Sequence, residues 1–287
     1  MNSFNFNDLL ENNSDNFAIE RIHYSKAVNM NHTHFHKHYE ILYLQYGKRT
    51  IQINGLHSYE LNQTNIALLR PNVIHQTLSN DASNQTRVLI NISQELISQL
   101  SRLYSKNIIS CFNTPILALS HYDIGMLNYF FTELLDNKKT NPLYDEKIKI
   151  NLAKILLHLS ELYYNTHNED ELFLSQATQE RIEYVTTYIQ EHFYNQFSLS
   201  ELANKLHISE THLERIFKQV MGINPYKYLL NIRIVNAKRL LESNSMTISE
   251  IAVACGFNSL SSFSRAFKQI HGCSPKEYQK NHRNTIL

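Results

Sequence analysis

RIFKQVMGINPYKY (215–228) and RAFKQIHGCSPKEY (265–278) are one pattern written twice, 50 residues apart. Arg215, Phe217, Lys218, Gln219, Gly222, Pro225 and Tyr228 answer in order to Arg265, Phe267, Lys268, Gln269, Gly272, Pro275 and Tyr278. Upstream, Glu201-Leu202-Ala203 answers to Glu250-Ile251-Ala252 at a displacement of 49, so the second copy holds one extra residue in its turn. A repeat of this kind means one supersecondary unit used twice.

Each copy reads as two short helices around a tight turn, over 198–221 and 247–271. In the first, Ser198 or Ser200 caps a helix over 200–206 whose Leu202, Ala203 and Leu206 face inward. The turn His207-Ile208 leads to a second cap, Ser209, and to a helix that ends near Gly222. In the second copy, Thr247 or Ser249 caps the first helix and Gly256 takes the left-handed turn position. Phe257 then plugs the interior, and Ser259 caps a helix that buries Phe263, Ala266, Phe267 and Ile270.

The outward positions of the two second helices carry the chemistry. They are Glu210, Thr211, His212, Glu214, Arg215 and Lys218 in copy one, and Leu260, Ser261, Ser262, Ser264, Arg265 and Lys268 in copy two. Arginine bonds a guanine edge with two donors, serine and threonine bond bases or phosphates, and lysine serves the backbone. Packing gives no reason to repeat an exposed cation, so the pair Arg215 and Arg265 points to a polyanion. Between the copies, YKYLLNIRIVNAKRLLES (226–243) is one continuous helix. It is long enough to hold the two units about one DNA turn, roughly 34 Å, apart.

The front of the chain has a different period. YEILYLQY (39–46), TIQINGLHSYEL (50–61), NIALLRP (65–71), VIHQTL (73–78) and RVLINI (87–92) read as short strands, with Asn54-Gly55 as a type I′ hairpin turn. Such a run indicates a barrel or sandwich. From residue 94 the pattern turns helical. In the helix over 146–165, Ile148, Leu152, Ile155, Leu159 and Leu162 step by four and three, which suits either a coiled-coil-like seam or a helix packed on its own barrel. A homodimer through the helices at about 121–136 and 146–165 is expected. The division that follows is a polar arm over 1–20, a barrel domain over 21–165, a linker over 166–178 and an all-α domain over 179–287. The fold class is thus multidomain α+β.

Composition sets the remaining bounds. The chain of 287 residues is 43% hydrophobic and 18% charged, a globular balance for two domains. Residues 1–175 hold 14 basic and 17 acidic side chains, and residues 176–287 hold 13 and 9, so a net charge of −3 precedes one of +4. No apolar run is long enough to span a membrane, and the start lacks the pattern of a secretion signal. Cys111, Cys255 and Cys273 are an odd, widely spaced set that fits free thiols in a reducing cytoplasm.

Residues from about 176 to 283 resemble the DNA-binding domain of the AraC/XylS family of bacterial regulators, and ISEIAVACGFNSLSSFSRAFKQIHGCSPKEY (248–278) matches that family's signature. The resemblance implies that both second helices lie in the major groove of promoter DNA and that the domain recruits or blocks RNA polymerase, with a lean toward activation. By position, Thr211, Glu214 and Arg215 would approach bases in the first unit, and Ser261, Ser262 and Arg265 in the second.

The front half carries its own resemblance. His34-Phe-His36-Lys-His-Tyr-Glu40, with Gly47 beyond, is similar to the first motif of the cupin barrel, and Arg70-Pro71-Asn-Val-Ile-His75 to part of the second. The glycine expected before that proline is replaced, since Thr64-Asn65 stand there. In cupins such a set, here His34, His36, Glu40 and His75, can hold iron, manganese, zinc or nickel, whereas many regulators keep the pattern around an organic effector. We assign no metal, cofactor or catalytic residue from the sequence. A small-molecule effector site is expected at His34, His36, Glu40, Tyr43, Arg70 and His75, with a sugar as a suitable ligand for its aromatic faces. The alternatives are a metal-dependent cupin enzyme fused to a DNA-binding tail and a barrel that only dimerises.

Overall fold

The strand YEILYLQY is buried at six successive positions, so it must be covered on both faces. This decides the layering of the front half. A computed structural model describes residues 16–25, 33–55, 57–79, 84–104, 106–167, 176–243 and 246–283. It forms two compact bodies, Met1–Gln176 and Ala177–Leu287.

The N-terminal body contains β1 (Phe17–Tyr24), β2 (Tyr39–Tyr46), β3 (Arg49–Ile53), β4 (His57–Leu61), β5 (Asn65–Leu69), β6 (His75–Ser79), β7 (Gln85–Ile92) and β8 (Ile116–Ala118). The expected barrel is not closed. Its strands divide into a five-stranded sheet, β1-β7-β2-β5-β8, and a three-stranded sheet, β4-β3-β6, with antiparallel pairing throughout. The chain passes from the large sheet to the small one at two sharp points, Gly47 (φ 96) between β2 and β3 and Asn72 (φ 70) between β5 and β6. These corners make the structure a sandwich. Asn54 (φ 54) and Gly55 (φ 66) form the expected turn between β3 and β4.

The two faces of β2 have different partners. Tyr39, Ile41 and Tyr43 join Ile66, Leu68, Val88 and Ile90 in a core shared with α1 (Gln94–Leu103), α2 (His121–Asp136) and α3 (Tyr144–Thr166). Glu40, Leu42 and Leu44 stand opposite Asn91, Leu89 and Arg87 on the other face, toward the small sheet. Contacts from Glu40 to His75 and from Arg49 to Gln85 cross between the sheets.

One boundary differs from expectation. Residues 17–20, placed in the arm, belong to β1, because Phe17 to Glu20 pair in register with Ile92 to Leu89. Residues 1–15 of that arm, and 168–175 of the linker, lie outside the described residues. The seam is also reassigned. Ile148, Leu152, Ile155 and Leu159 are buried in the core of their own body, with Leu162 packed against it. Steps of four and three mark one face of any amphipathic helix, and here that face packs into the core of its own body.

The C-terminal body runs α4 (Gln176–His192), α5 (Leu199–Lys205), α6 (Glu210–Met221), α7 (Pro225–Ser243), α8 (Ile248–Ala254), α9 (Leu260–His271) and α10 (Pro275–Arg283). Its helix starts are written in hydroxyls. Ser198, Ser209, Thr247 and Ser259 each accept a hydrogen bond from the backbone N–H three residues on, and Glu250 completes a capping box with Thr247. The repeat now divides by role. Gly222 and Gly272 end α6 and α9 in the left-handed conformation, and Pro225 and Pro275 open α7 and α10. Phe217 meets Tyr228 at 5.6 Å between ring centroids, and Phe267 meets Tyr278 at 5.4 Å. α7 is buried on more than one face, because Tyr228 serves the first unit while Ile234, Ala237 and Leu241 enter the core of the second.

Candidate functional site

With each Phe–Tyr pair buried, the remaining matched side chains are turned outward. On α6, Glu210, Thr211, Glu214, Arg215 and Lys218 are exposed and His212 is half-buried. An Arg215 guanidinium nitrogen lies 3.3 Å from His212 Nδ1, so the two present one combined surface. On α9, Leu260, Ser261, Ser262, Arg265 and Lys268 are exposed, with Leu260 at 44%, and Ser264 is half-buried. The Ser262 hydroxyl is turned back, donating to Ser259 O at 2.8 Å. The two faces differ in charge: α6 sets two carboxylates among its cations, whereas α9 carries hydroxyls, one apolar side chain and cations.

A second cluster lies between the sheets of the N-terminal body. His34 and His75 exchange backbone hydrogen bonds of 2.9 Å each way, and Asn72 N–H donates to His36 O at 2.7 Å. This lays residues 34–38 across the start of β6. Ligand atoms of His34, His36 and His75 then come within 4.8 Å of one another, as do those of His36, His38 and Glu40. His36 and His38 stack at 3.8 Å. All but half-buried His34 are buried.

The hydrogen bonds of this cluster constrain its protons. His36 Nδ1 faces His38 O at 2.9 Å, and His75 Nδ1 faces Val73 O at 3.0 Å. A carbonyl only accepts, so both Nδ1 atoms carry hydrogen. The Nε2 atoms then face the Glu40 carboxylate, at 3.1 Å from His36 and 3.8 Å from His75. Burial alone would raise the Glu40 carboxyl, but the His36 hydrogen bond and the neighbouring imidazoles hold it well below the usual carboxylate range. Burial pushes the His75 imidazole down to about 4, and that of His38 to about 3. A buried carboxylate thus faces imidazole nitrogens, one of them neutral with its lone pair turned inward. This donor set fits a divalent cation, and Nδ1–H bonded to a backbone carbonyl is how metal-binding histidines are oriented.

A model of a helix-turn-helix domain matches residues 202–281, the span that holds both helix pairs. Over 270 residues the chain is 25% identical to the probable transcriptional regulator LumQ of Photobacterium leiognathi, covering 94% of this chain and 98% of LumQ. The match is thus to a helix-turn-helix domain, in a chain that is similar over its whole length to a transcriptional regulator. An uncharacterized HTH-type transcriptional regulator of Bacillus subtilis, YisR, is 31% identical over 151 residues, 52% of this chain and half of that protein. Among solved structures, ToxT from Vibrio cholerae shares the fold, with a TM-score of 0.57 at 20% identity over 92% of this chain and 98% of its own. One ToxT structure holds an unsaturated fatty acid. The helix-turn-helix match and the full-length likeness to LumQ make this chain a DNA-binding transcriptional regulator.

Not every residue expected at the effector site of this regulator reaches the cluster. His34, His36, Glu40 and His75 do. Tyr43 does not, because it follows Leu42 on a pleated strand and points to the helices, where its ring lies 5.7 Å from Phe131 and its hydroxyl donates to Gln63 O. Tyr39 shares that face and meets Phe112. Arg70 is also turned away, donating to Phe112 O at 2.7 Å and to Asn113 Oδ1. Two buried residues were passed over: His38, and Asn91, which pairs with Glu40 across the β2–β7 ladder. Asn91 had a signal in the sequence, as the one polar residue inside the apolar run VLINI. Among the described residues no helix is long and apolar enough to cross a membrane, and the three cysteines are free thiols.

Proposed function

We propose that this regulator reads two successive major-groove segments of promoter DNA with α6 and α9, and changes its transcriptional output when a ligand occupies the histidine cluster. The observation that carries the reading is the matched exposure of Arg215 and Arg265 on two helices with the same caps and the same Phe–Tyr core pair. Thr211, His212, Glu214 and Lys218 complete one reading surface, and Leu260, Ser261, Ser262, Ser264 and Lys268 the other. In this reading the chain is cytoplasmic and acts by recruiting RNA polymerase, and no residue is catalytic.

Tyr39 and Tyr43, whose aromatic faces would suit a sugar, are turned to the helical side. An organic ligand, as ToxT holds, remains one reading. A transition-metal ion is the second, favoured by the inward Nε2 atoms of His36 and His75 around buried Glu40, with His34 beside them. A bound divalent ion would replace the His36 Nε2 proton as the positive partner of the carboxylate. One experiment treats both. Chelator-treated, untagged protein is captured on duplexes it selects from a random library, then assayed for transcription across a metabolite panel and a divalent-metal series. A stoichiometric metal that alters output, lost in Glu40→Ala, supports the metal reading. Output unmoved by every addition would sink ligand control.

We also place a homodimer contact on the outer faces of α2 and α3, where Tyr122, Tyr129, Ile150 and Leu157 are exposed. Large apolar side chains left exposed on neighbouring helices suit a protein partner. Sedimentation equilibrium of Leu157→Glu should show a shift toward the monomer mass. An unchanged dimer would exclude this face.

A further inference from the structure

The turn of the second helix pair leaves no room for a side chain. Gly256 has φ +76, and a Cβ there would stand 2.8 Å from Phe193 O and from the Cα and O of Tyr194. The left-handed angle is not what demands glycine, since the equivalent residue 49 positions earlier is His207 at φ 53. Close approach demands it: Gly256 is pressed against the backbone of the turn that follows α4. The same turn is gripped from α7. Arg233 Nε donates to Phe193 O at 2.8 Å, and its terminal nitrogen donates to Asn195 O at 2.9 Å. The flat guanidinium lies 5.9 Å from the ring centroid of Phe257, the residue after Gly256. Arg233 also stands where α7 changes partners, beyond Tyr228 of the first core and one residue before Ile234 of the second.

We infer that Arg233 and Gly256 form a brace that fixes the orientation of α9 relative to α6, so that the regulator reads its two groove segments at one set spacing. A single helix joining the two pairs would bend, and small bends at its middle become large displacements at the reading surfaces. The brace adds a second line of connection, from α4 to the turn of the second pair, and this holds the two units in one register. Two linked reading heads gain avidity only where both can engage at once, so a fixed spacing becomes part of sequence selectivity. Arg233 is a positioning residue, since its donors go to the 193–195 turn.

The inference rests on the DNA reading proposed above, and its test separates the two. The probe is duplex DNA captured by the full chain from a randomised library. It is compared with duplexes in which one segment is scrambled and duplexes whose spacer is changed by one or two base pairs. Arg233→Ala should bind single-segment duplexes within about twofold of the unmodified chain, lose about tenfold or more on the two-segment duplex, and show a flattened dependence on spacer length. Gly256→Ala should flatten the same profile. Arg233→Lys keeps the charge but cannot bridge two carbonyls with a rigid fork, so its profile should be intermediate. It carries the test if circular dichroism shows Arg233→Ala unfolded. An unchanged spacer profile in a folded variant overturns the brace. Failure of the unmodified chain to capture DNA overturns the DNA reading instead.

Discussion

Arg215→Ala and Arg265→Ala combined in one chain should lower affinity for the selected DNA by about 2–6 kcal/mol, with each single change contributing about 1–3 kcal/mol. Both side chains are exposed on separate helices, so their effects should add and the fold should survive. The side-chain contact seen for Arg215 is with His212 on the same helix, a loss too small to disturb folding. Binding to scrambled DNA should fall far less than binding to the selected duplex, because base contacts specify and phosphate contacts only position. Anisotropy titrations at fixed salt measure both. Equal losses on the two duplexes would turn these arginines into phosphate clamps.

Phe267→Ala should destabilise the C-terminal body by about 3–5 kcal/mol. Phe267 is fully buried, with Phe263 at 5.8 Å, Tyr278 at 5.4 Å and His271 at 4.6 Å between ring centroids. Truncation leaves a cavity whose aromatic walls come from α9 and α10, and it frees the helix that carries Arg265. Denaturant melts should show the midpoint falling. Contacts at the second groove segment should weaken more than those at the first, since Phe217 still seats α6 against Tyr228. A loss under about 1 kcal/mol would mean that the site collapses around the smaller side chain.

The C-terminal body was legible because its signals are local. Serine and threonine caps, two glycine stops, two N1 prolines and a Phe–Tyr pair each act within one unit, and the repeat wrote them twice. The front half was legible to its strands and no further. Which way Tyr43 and Arg70 point depends on strand neighbours: Tyr43 is opposite Val88 on the helix-covered face, and Arg70 reaches residues more than forty positions away. The steps of Ile148, Leu152, Ile155 and Leu159 were equally ambiguous, since a partner chain and a parent sheet ask for the same spacing. The role of Arg233 was hidden for a similar reason. Its partners are the backbone carbonyls of Phe193 and Asn195, and a carbonyl has no sequence signature.

The central claim is that α6 and α9 are the two surfaces that read DNA. Hydroxyl-radical footprinting of the full chain on its selected duplex tests it most directly. The account predicts two protected patches on one face, about one helical turn or roughly 34 Å apart, with Arg215→Ala erasing one and Arg265→Ala the other. A single patch, or two patches that both variants leave intact, would contradict it.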